Sequence, residues 1–497
     1  MSETSSARAT GRGAALLMVA HVALMVSGYV IAVVLARGLG PALYGAYGLV
    51  YSFLLGMELM GRLGVPQALS QRIASSQGPS RELERSGVTL TAMVYLVVFL
   101  GFWIASPLLA RLFQIPGGAE LFRIASLDIP FYGLYFVGDH ILNGQRRFGA
   151  EARGILLYST VRTAGILALF FWVGLSVEGA LIVNVVGSVV ALGYVLAIVG
   201  PSSFVPCLTH ARELVRLAIP IGLFGVGSQL LLSLDLWALN FVGGVPQFTR
   251  GFYVAAGNVA RIPNVVAFVM MAVLVPTMAR SMAIGDSAGV RAAVRGTGRF
   301  LAVSLLPACG LIAVESASIL QLMFSAQYAA GGHLLAILIF SHGLLYTVLV
   351  TACSMLIAAD RAVYAAGVTL GIVPVALVAD VVLINTLQAE GAALGALLSI
   401  GGSAAAAIIA VHKLVVPMEI PRGLFVTLIA SLGVAGVGIA FPVGHALLIP
   451  KIILLAFLYL AVLTKLGVVG PEDLELFRSK RPDDVESVAN DGEERIT

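Results

Sequence analysis

The chain has 497 residues, of which 59% are hydrophobic and only 11% are charged. Soluble domains carry about 25% charged residues, so a chain this apolar cannot cover itself with polar surface in water, and lipid must be its solvent. The net charge of +4 is spread over short segments between apolar runs, which argues against a nucleic-acid partner. We expect an all-α, polytopic integral membrane protein.

The chain contains fourteen apolar runs long enough to cross a bilayer, which takes about 20 mostly apolar residues. In chain order they are residues 13–36, 44–65, 87–109, 123–143, 154–175, 178–200, 215–242, 252–277, 298–318, 332–358, 363–386, 391–412, 423–441 and 446–466. The first run is longer than the roughly 7–15 residues of a signal-peptide core, so we expect it to remain a membrane helix.

The lysines and arginines predict the orientation, because cytoplasmic segments of membrane proteins carry an excess of them. With the N-terminus placed in the cytoplasm, 22 of the 30 basic residues fall in inside segments and five in outside segments. The other three, Arg62, Arg162 and Arg261, lie within the runs. We therefore expect both termini to be cytoplasmic.

Two stretches of the chain repeat one pattern. Residues 38–47 (GLGPALYGAY) form an external Gly/Pro turn with a Gly-x-Tyr helix start, and after a spanning run come Val-Pro and a cytoplasmic arginine. Residues 244–253 (GVPQFTRGFY) begin the same series in the second half. Transporters often consist of two such halves. The alternative is that Gly/Pro turns flank any pair of helices.

These same stretches resemble a known family. The sequence LARGLGPALYGAYGLVYSF at residues 35–53 resembles the first external turn of bacterial polysaccharide (O-antigen-type) flippases. The stretch DLWALNFVGGVPQFTRGFYVAAGNVARIPNVVAFVMMAVLVP, which begins at Asp235, resembles their second-half motif. These flippases belong to the multidrug/oligosaccharidyl-lipid/polysaccharide exporter superfamily. In the family a basic residue often follows the aspartate, whereas Leu236 follows Asp235 here.

The resemblance implies a fold of two pseudo-symmetric six-helix lobes around a central cavity, followed by two C-terminal helices. It implies that the protein moves an undecaprenyl-linked oligosaccharide from the inner to the outer leaflet of the cytoplasmic (inner) membrane and is not an enzyme. The expected division is a cytoplasmic tail (1–12), an N-lobe (13–200), a cytoplasmic linker (201–214), a C-lobe (215–412), spans 13 and 14 (413–466) and a cytoplasmic tail (467–497).

Charged and polar side chains within the spans are candidate site residues, because a charge at the bilayer centre costs about 2.5–3.5 kcal/mol on insertion scales. In the fourth span, Asp128, Tyr132, Tyr135 and Asp139 recur on one helical face. We expect this face to line a polar cavity, since lipid would not tolerate it. The alternative is a hydrogen-bonded seam between helices.

Arginines within the spans are the candidates for binding a lipid diphosphate. Arg261 lies near mid-membrane with Asn264 at helical spacing, and its planar guanidinium is suited to bidentate phosphate binding. Arg162 and Arg62 are further candidates for the cavity wall. The alternatives are a self-neutralising pair of Arg62 with Glu58, and a buried ion pair of Arg261 with an acid such as Asp235 or Asp380.

Three acids within the spans, Asp235, Asp380 and Glu315, are candidates for binding a coupling proton or sodium ion, with simple charge balance as the alternative. The chain has no P-loop, so ATP is not its direct fuel. We expect no cofactor and no metal. The expected partners are the lipid-linked sugar, membrane lipid, a coupling ion and polysaccharide assembly proteins.

Two other functions remain open from the sequence. A cation-coupled multidrug-type exporter of the same fold would favour an acidic cavity, which three intramembrane arginines oppose. A membrane-embedded polyprenyl-phosphate glycosyltransferase, polymerase or ligase usually needs a large external loop or an acidic metal motif at the membrane surface. The sequence shows neither feature.

Overall fold

The computed structural model describes residues 3–62, 64–76, 80–115, 117–242, 244–417, 423–441 and 447–468, and these residues are almost entirely helical. The helices are α1 (Glu3–Arg62), α2 (Val65–Ser75), α3 (Arg81–Leu112), α4 (Gly118–Ser126), α5 (Asp128–Gly144), α6 (Phe148–Ala168), α7 (Val177–Val199), α8 (Ala211–Val242), α9 (Gln247–Ala260), α10 (Asn264–Ala283), α11 (Ser287–Val314), α12 (Ser316–Met323), α13 (Gly332–Leu338), α14 (Tyr346–Ala358), α15 (Ala362–Gly371), α16 (Val373–Leu414), α17 (Leu424–Ala440) and α18 (Leu448–Lys465). Leu169–Val173 and Ile339–Leu345 are π-helical.

The helices follow the predicted spans, although several spans are bent or broken. Nine helical stretches of the described residues are long and apolar enough to cross a membrane. Two of these, Ala15–Glu58 and Ala362–Leu414, are long enough for two crossings each. The first turns at Gly40, where φ is 72°, and the second at Gln388, where φ is 52°. We call the parts of α1 before and after Gly40 its first and second arms.

The second arm of α1 packs against α9 and α8, so the two halves of the sequence repeat meet at the centre of the molecule. The Phe53 ring stacks on Trp237 of α8, with ring centroids 4.3 Å apart and planes 6° apart. The Trp237 indole also donates a hydrogen bond to the Ser52 hydroxyl at 2.9 Å. This aromatic contact belongs to the largest buried cluster of the described residues.

The last two helices of the described residues, α17 and α18, form a hairpin that packs on α11. The buried Lys451 ammonium of α18 forms an ion pair with Glu315, which follows α11, and donates to the Gly438 carbonyl at 2.8 Å. The Tyr459 hydroxyl donates to the Val303 carbonyl at 3.0 Å. Glu315 therefore holds the C-terminal hairpin in place.

Candidate functional site: a central polar cavity

A cavity of about 410 Å³ lies between the N-terminal and C-terminal halves of the chain. Its walls come from α1, α5 and α6 on one side and from α8, α9, the turn after α9 and the π-helical segment Ile339–Leu345 on the other. Its aromatic, polar and charged lining residues are Tyr29, Tyr44, Tyr47, Tyr51, Ser52, Glu58, Tyr132, Tyr158, Arg162, Asp235, Tyr253, Asn258, Arg261 and His342. The chain thus encloses a polar space within an apolar shell.

Tyrosines dominate the wall, since seven of the 14 in the chain line this cavity. Tyr44, Tyr47 and Tyr51 lie on one face of the second arm of α1, and their successive ring centroids are 6.3 and 5.4 Å apart. From the opposite wall, the Asn258 amide donates to the Tyr44 hydroxyl at 2.8 Å. Rings with a polar tip suit a sugar, because the ring face can stack while the hydroxyl forms hydrogen bonds.

Arg162 projects from α6 into this tyrosine wall. Its Nη2 donates to the Tyr51 hydroxyl at 3.0 Å. Its guanidinium carbon lies 5.0 Å from the Tyr158 ring centroid and 5.9 Å from that of Tyr51, within the range of cation–π attraction. Aromatic faces and a phenol, rather than a carboxylate, therefore hold this cation.

Arg261 lies on the opposite wall, at the break between α9 and α10. Its Nη2 donates to the Leu232 carbonyl of α8 at 2.7 Å. Among the described residues, no carboxylate lies within ion-pair distance of Arg261 or Arg162. The alternative of an ion pair between Arg261 and Asp235 or Asp380 is therefore not formed in this structure. Both cations face the same cavity, and Glu58 and Asp128 act on Arg162 only through longer-range electrostatic attraction.

Asp235 is held by two groups on neighbouring elements. The Tyr253 hydroxyl donates to its Oδ2 at 2.5 Å, and His342 Nε2 lies 3.2 Å from the same oxygen. The aspartate and histidine side chains are each only 1% exposed. His342 lies in the π-helical segment, and π-helical turns frequently occur at functional sites. Asp380 is also buried and interacts electrostatically with Asp235, but it does not line the cavity.

The face of the fourth span is only partly on the cavity. Tyr132 lines it, whereas Asp128, Tyr135 and Asp139 are buried inside the N-terminal half. Asp128 Oδ2 accepts a hydrogen bond from Asn184 of α7 at 2.8 Å, and the Tyr135 ring stacks behind the cavity wall on Tyr158, 5.5 Å away. For these three residues the structure departs from the predicted cavity position, because α6 and α7 cover this part of α5.

Three other predicted site residues lie elsewhere or are not described. Asn264 is not on the cavity wall, and its Oδ1 accepts a hydrogen bond from Thr347 at 3.0 Å. Glu315 is paired with Lys451 at the C-terminal hairpin, away from the cavity. The Arg62 side chain lies outside the described residues.

Of these fourteen lining residues, the sequence predicts only four as site residues, namely Tyr132, Arg162, Arg261 and Asp235. A lone histidine in an apolar span, such as His342, gives no signal of an acidic partner on another helix. Glu58 continues the face of Tyr44, Tyr47 and Tyr51 at helical spacing. That spacing was a readable signal for the whole wall.

Comparison with known proteins identifies the family. Residues 10–282 match the family described as polysaccharide biosynthesis protein, which is more than half of the chain. The chain belongs to this family. The predicted resemblance is therefore confirmed.

A curated relative of this family member is the succinoglycan biosynthesis transport protein ExoT of Rhizobium meliloti (strain 1021). The two are 26% identical over 330 residues, which is 65% of this chain and 63% of ExoT. The match thus spans less than two thirds of that relative.

Solved structures show the same fold. The lipid II flippase MurJ in an inward closed conformation superposes with a TM-score of 0.74 at 15% identity, covering 90% of this chain and 97% of MurJ. A multidrug resistance MATE family transporter of the MOP superfamily, in its inward-facing conformation, gives 0.66 at 15% identity, covering 82% of this chain and 94% of that chain. The prediction of a polytopic all-α fold is confirmed.

Proposed function

We propose that this polysaccharide biosynthesis protein flips an undecaprenyl-linked oligosaccharide from the inner to the outer leaflet of the cytoplasmic membrane. The observation that carries the proposal is the central cavity, where a wall of tyrosines faces two arginines that form no close ion pair with any carboxylate of the described residues. The ExoT and MurJ names support the same substrate class, since one is a succinoglycan transport protein and the other a lipid II flippase.

The cavity offers separate chemistry for the two parts of such a substrate. Guanidinium groups bind phosphate oxygens through charge-assisted, often bidentate hydrogen bonds, so Arg261 and Arg162 would hold the diphosphate. The tyrosines of α1 would stack on the sugar rings and exchange hydrogen bonds with their hydroxyls. A multidrug-type exporter of lipophilic cations would instead have to bring a positive charge beside two arginines that already line the cavity.

The proposed orientation, with both termini in the cytoplasm, assigns the two ends of the cavity to the two sides of the membrane. The second arm of α1 contacts α9 beside the Gly/Pro turns, which this orientation places on the outer side. The cavity would then be closed to the outside in this conformation. The proposed N-lobe (13–200) and C-lobe (215–412) would rock about it, while residues 413–466 add the C-terminal hairpin.

Ion coupling is the proposed role of the buried group around Asp235. A carboxylate beside an imidazole and a second acid, Asp380, can exchange a proton or accept a sodium ion, and either event changes the charge between α8 and the π-helical segment. Such intramembrane acids commonly mark proton and ion pathways in transporters. Glu315 is left out of this proposal because Lys451 already neutralises it.

A vesicle assay tests the proposal. The purified protein is reconstituted with a labelled undecaprenyl-diphosphate oligosaccharide, and a membrane-impermeant glycosidase added outside cleaves label in the outer leaflet while label in the inner leaflet stays protected. Protein-dependent movement of intact label between the leaflets supports a flippase. If the label stays in its leaflet while a lipophilic cation is exported, the protein is a multidrug-type exporter. Chemically altered label indicates an enzyme.

A further inference from the structure

A second cavity, of about 340 Å³, lies within the C-terminal half, between α11, the π-helical segment with α14, and the C-terminal part of α16. It shares no lining residue with the central cavity. Its walls are almost entirely aliphatic, apart from two arginines at one end. An apolar space with cations at one end matches the shape of an amphiphile.

The wall formed by α11 gives this cavity its length and direction. Arg291, Arg295, Gly298, Ala302 and Leu306 line it at helical spacings of three and four. At a rise of 1.5 Å per residue, the distance from Arg291 to Leu306 is about 22 Å along the helix. The hydrocarbon core of a bilayer is about 30 Å thick, so the cavity is long enough for the acyl chain of one leaflet.

The middle of this wall is open. A Cβ atom added at Gly298 would have no heavy atom within 4 Å, so the glycine faces empty space. Leu344 and Leu345 of the π-helical segment form the opposite side. Because this segment separates the two cavities, a lipid with its head at Arg291 is distinct from a substrate whose diphosphate lies in the central cavity.

The charged end of the cavity defines the head group. Arg291 and Arg295 are exposed, one helical turn apart, and belong to the segment that the distribution of basic residues assigns to the cytoplasm. Basic pockets between membrane helices on the cytoplasmic side recognise anionic lipid head groups. We propose that this cavity binds an anionic phospholipid of the cytoplasmic leaflet, with its phosphate at Arg291 and Arg295 and one acyl chain along α11.

Occupancy of this site has a consequence for transport. The same π-helical segment presents Leu344 and Leu345 to the lipid and His342 to the central cavity. An acyl chain packed on the leucines would hold the backbone that positions His342 beside Asp235. The bound lipid would therefore act as a structural regulator of the ion site and not as cargo.

Native mass spectrometry of the delipidated full chain tests the proposal without a transport assay. Phosphatidylglycerol, phosphatidylcholine and undecaprenyl phosphate are each added back in detergent. We expect phosphatidylglycerol to bind best, Gly298→Leu to reduce its binding at least about tenfold by filling the cavity, and Arg291→Gln to reduce it about fivefold by removing one surface cation. Arg291→Gln keeps the interior packing, so it remains informative if Gly298→Leu folds poorly.

Gly296→Leu is the matched control. Gly296 also has no atom within 4 Å of an added Cβ, but it does not line the cavity, so this variant should bind phosphatidylglycerol like the wild type. Equal binding of phosphatidylglycerol and phosphatidylcholine, or equal loss in both glycine variants, would overturn the proposal. Preferred binding of undecaprenyl phosphate that Gly298→Leu removes would assign the cavity to the substrate tail instead. None of these results depends on whether the protein is a flippase.

Discussion

Gly45 of α1 and Gly251 of α9 lie against each other, backbone to backbone. A Cβ on Gly45 would lie 2.8 Å from the Gly251 nitrogen, and a Cβ on Gly251 would clash with the Pro41 carbonyl oxygen. Both glycines occupy the same place in the Gly-x-Tyr repeat. Small residues allow membrane helices to approach this closely. The two halves of the protein therefore close on each other through equivalent positions.

Gly251→Ala should open this contact. The added methyl group cannot fit beside the Pro41 carbonyl, so α9 must move away from α1, and we expect the externally accessible fraction of the cavity to rise about tenfold, a shift of roughly 1.4 kcal/mol. The measurement is labelling of Tyr29→Cys, on the cavity wall, by a membrane-impermeant thiol reagent in intact cells. Gly257→Ala is the control, because its Cβ meets nothing within 4 Å. Equal labelling in both variants would contradict the proposed outer closure.

The two halves of the chain also meet at the end away from Gly45 and Gly251. There Arg72 of α2 forms an ion pair with Glu213 of α8, with Nε and Oε1 2.5 Å apart. The two side chains are 50% and 37% exposed, so the pair contributes at most about 1 kcal/mol. We expect Glu213→Gln to raise labelling of the same cysteine in inverted vesicles by no more than about fivefold. The charge-swapped double variant, Arg72→Glu with Glu213→Arg, should restore the wild-type value. A single variant with no effect would show that this pair does not bias the conformation.

The buried pair of Glu315 and Lys451 should behave differently from a surface pair. Removing one partner leaves an uncompensated buried charge, so Glu315→Gln should destabilise the protein by about 3–5 kcal/mol and deplete it from the membrane. The double variant Glu315→Leu with Lys451→Met should recover most of the lost abundance. Transport per molecule should be unchanged in the double variant, as measured in vesicles at equal protein content. If flipping by the double variant no longer depends on an ion gradient, Glu315 takes part in ion coupling.

The hydropathy of the sequence was enough to predict the helices, because lipid requires long apolar runs and leaves few alternatives. The turn at Gly40 was also readable, since a Gly-Pro pair stands there and glycine tolerates positive φ. The turn at Gln388 falls in the predicted gap between the spans 363–386 and 391–412, whereas its positive φ was not readable, because such a conformation of a non-glycine residue depends on its surroundings.

The side of a helix on which a polar face lies depends on its neighbours. The periodicity of Asp128, Tyr135 and Asp139 correctly grouped these residues on one face but did not reveal that α6 and α7 cover it. A polar seam and a cavity wall impose the same pattern on a single helix. The contact of Asp235 with His342 joins residues more than 100 positions apart, which no local pattern indicates.

Arg261→Ala should abolish or strongly reduce flipping while membrane abundance stays near wild type. The guanidinium donates to the Leu232 carbonyl and has no acidic partner in the described part of the chain, so its removal strands no charge and costs about 1–2 kcal/mol. Arg261→Lys should restore flipping only partly, because an ammonium keeps the charge but loses the planar fork. Protein abundance and cell-surface polysaccharide are measured in the same strains. Full activity in Arg261→Ala would remove this residue from the site.

The group formed by Asp235, Tyr253 and His342 provides the test of which ion drives transport. Asp235→Asn keeps the shape of the side chain but removes its charge, so we expect ion-driven flipping in vesicles to be lost whichever ion is used. His342→Gln separates the two ions, because glutamine cannot take up a proton but leaves the carboxylate available to a sodium ion. If the coupling ion is a proton shared by the pair, His342→Gln should abolish stimulation by a pH gradient. If it is sodium, His342→Gln should keep stimulation by a sodium gradient, and only Asp235→Asn should abolish it.

Tyr253→Phe is the matched control for these variants, since it removes the hydrogen bond to the same Oδ2 without changing any charge. It should lower the rate of flipping but not alter which ion drives transport. Undiminished ion-driven flipping in Asp235→Asn would eliminate this group as the coupling site.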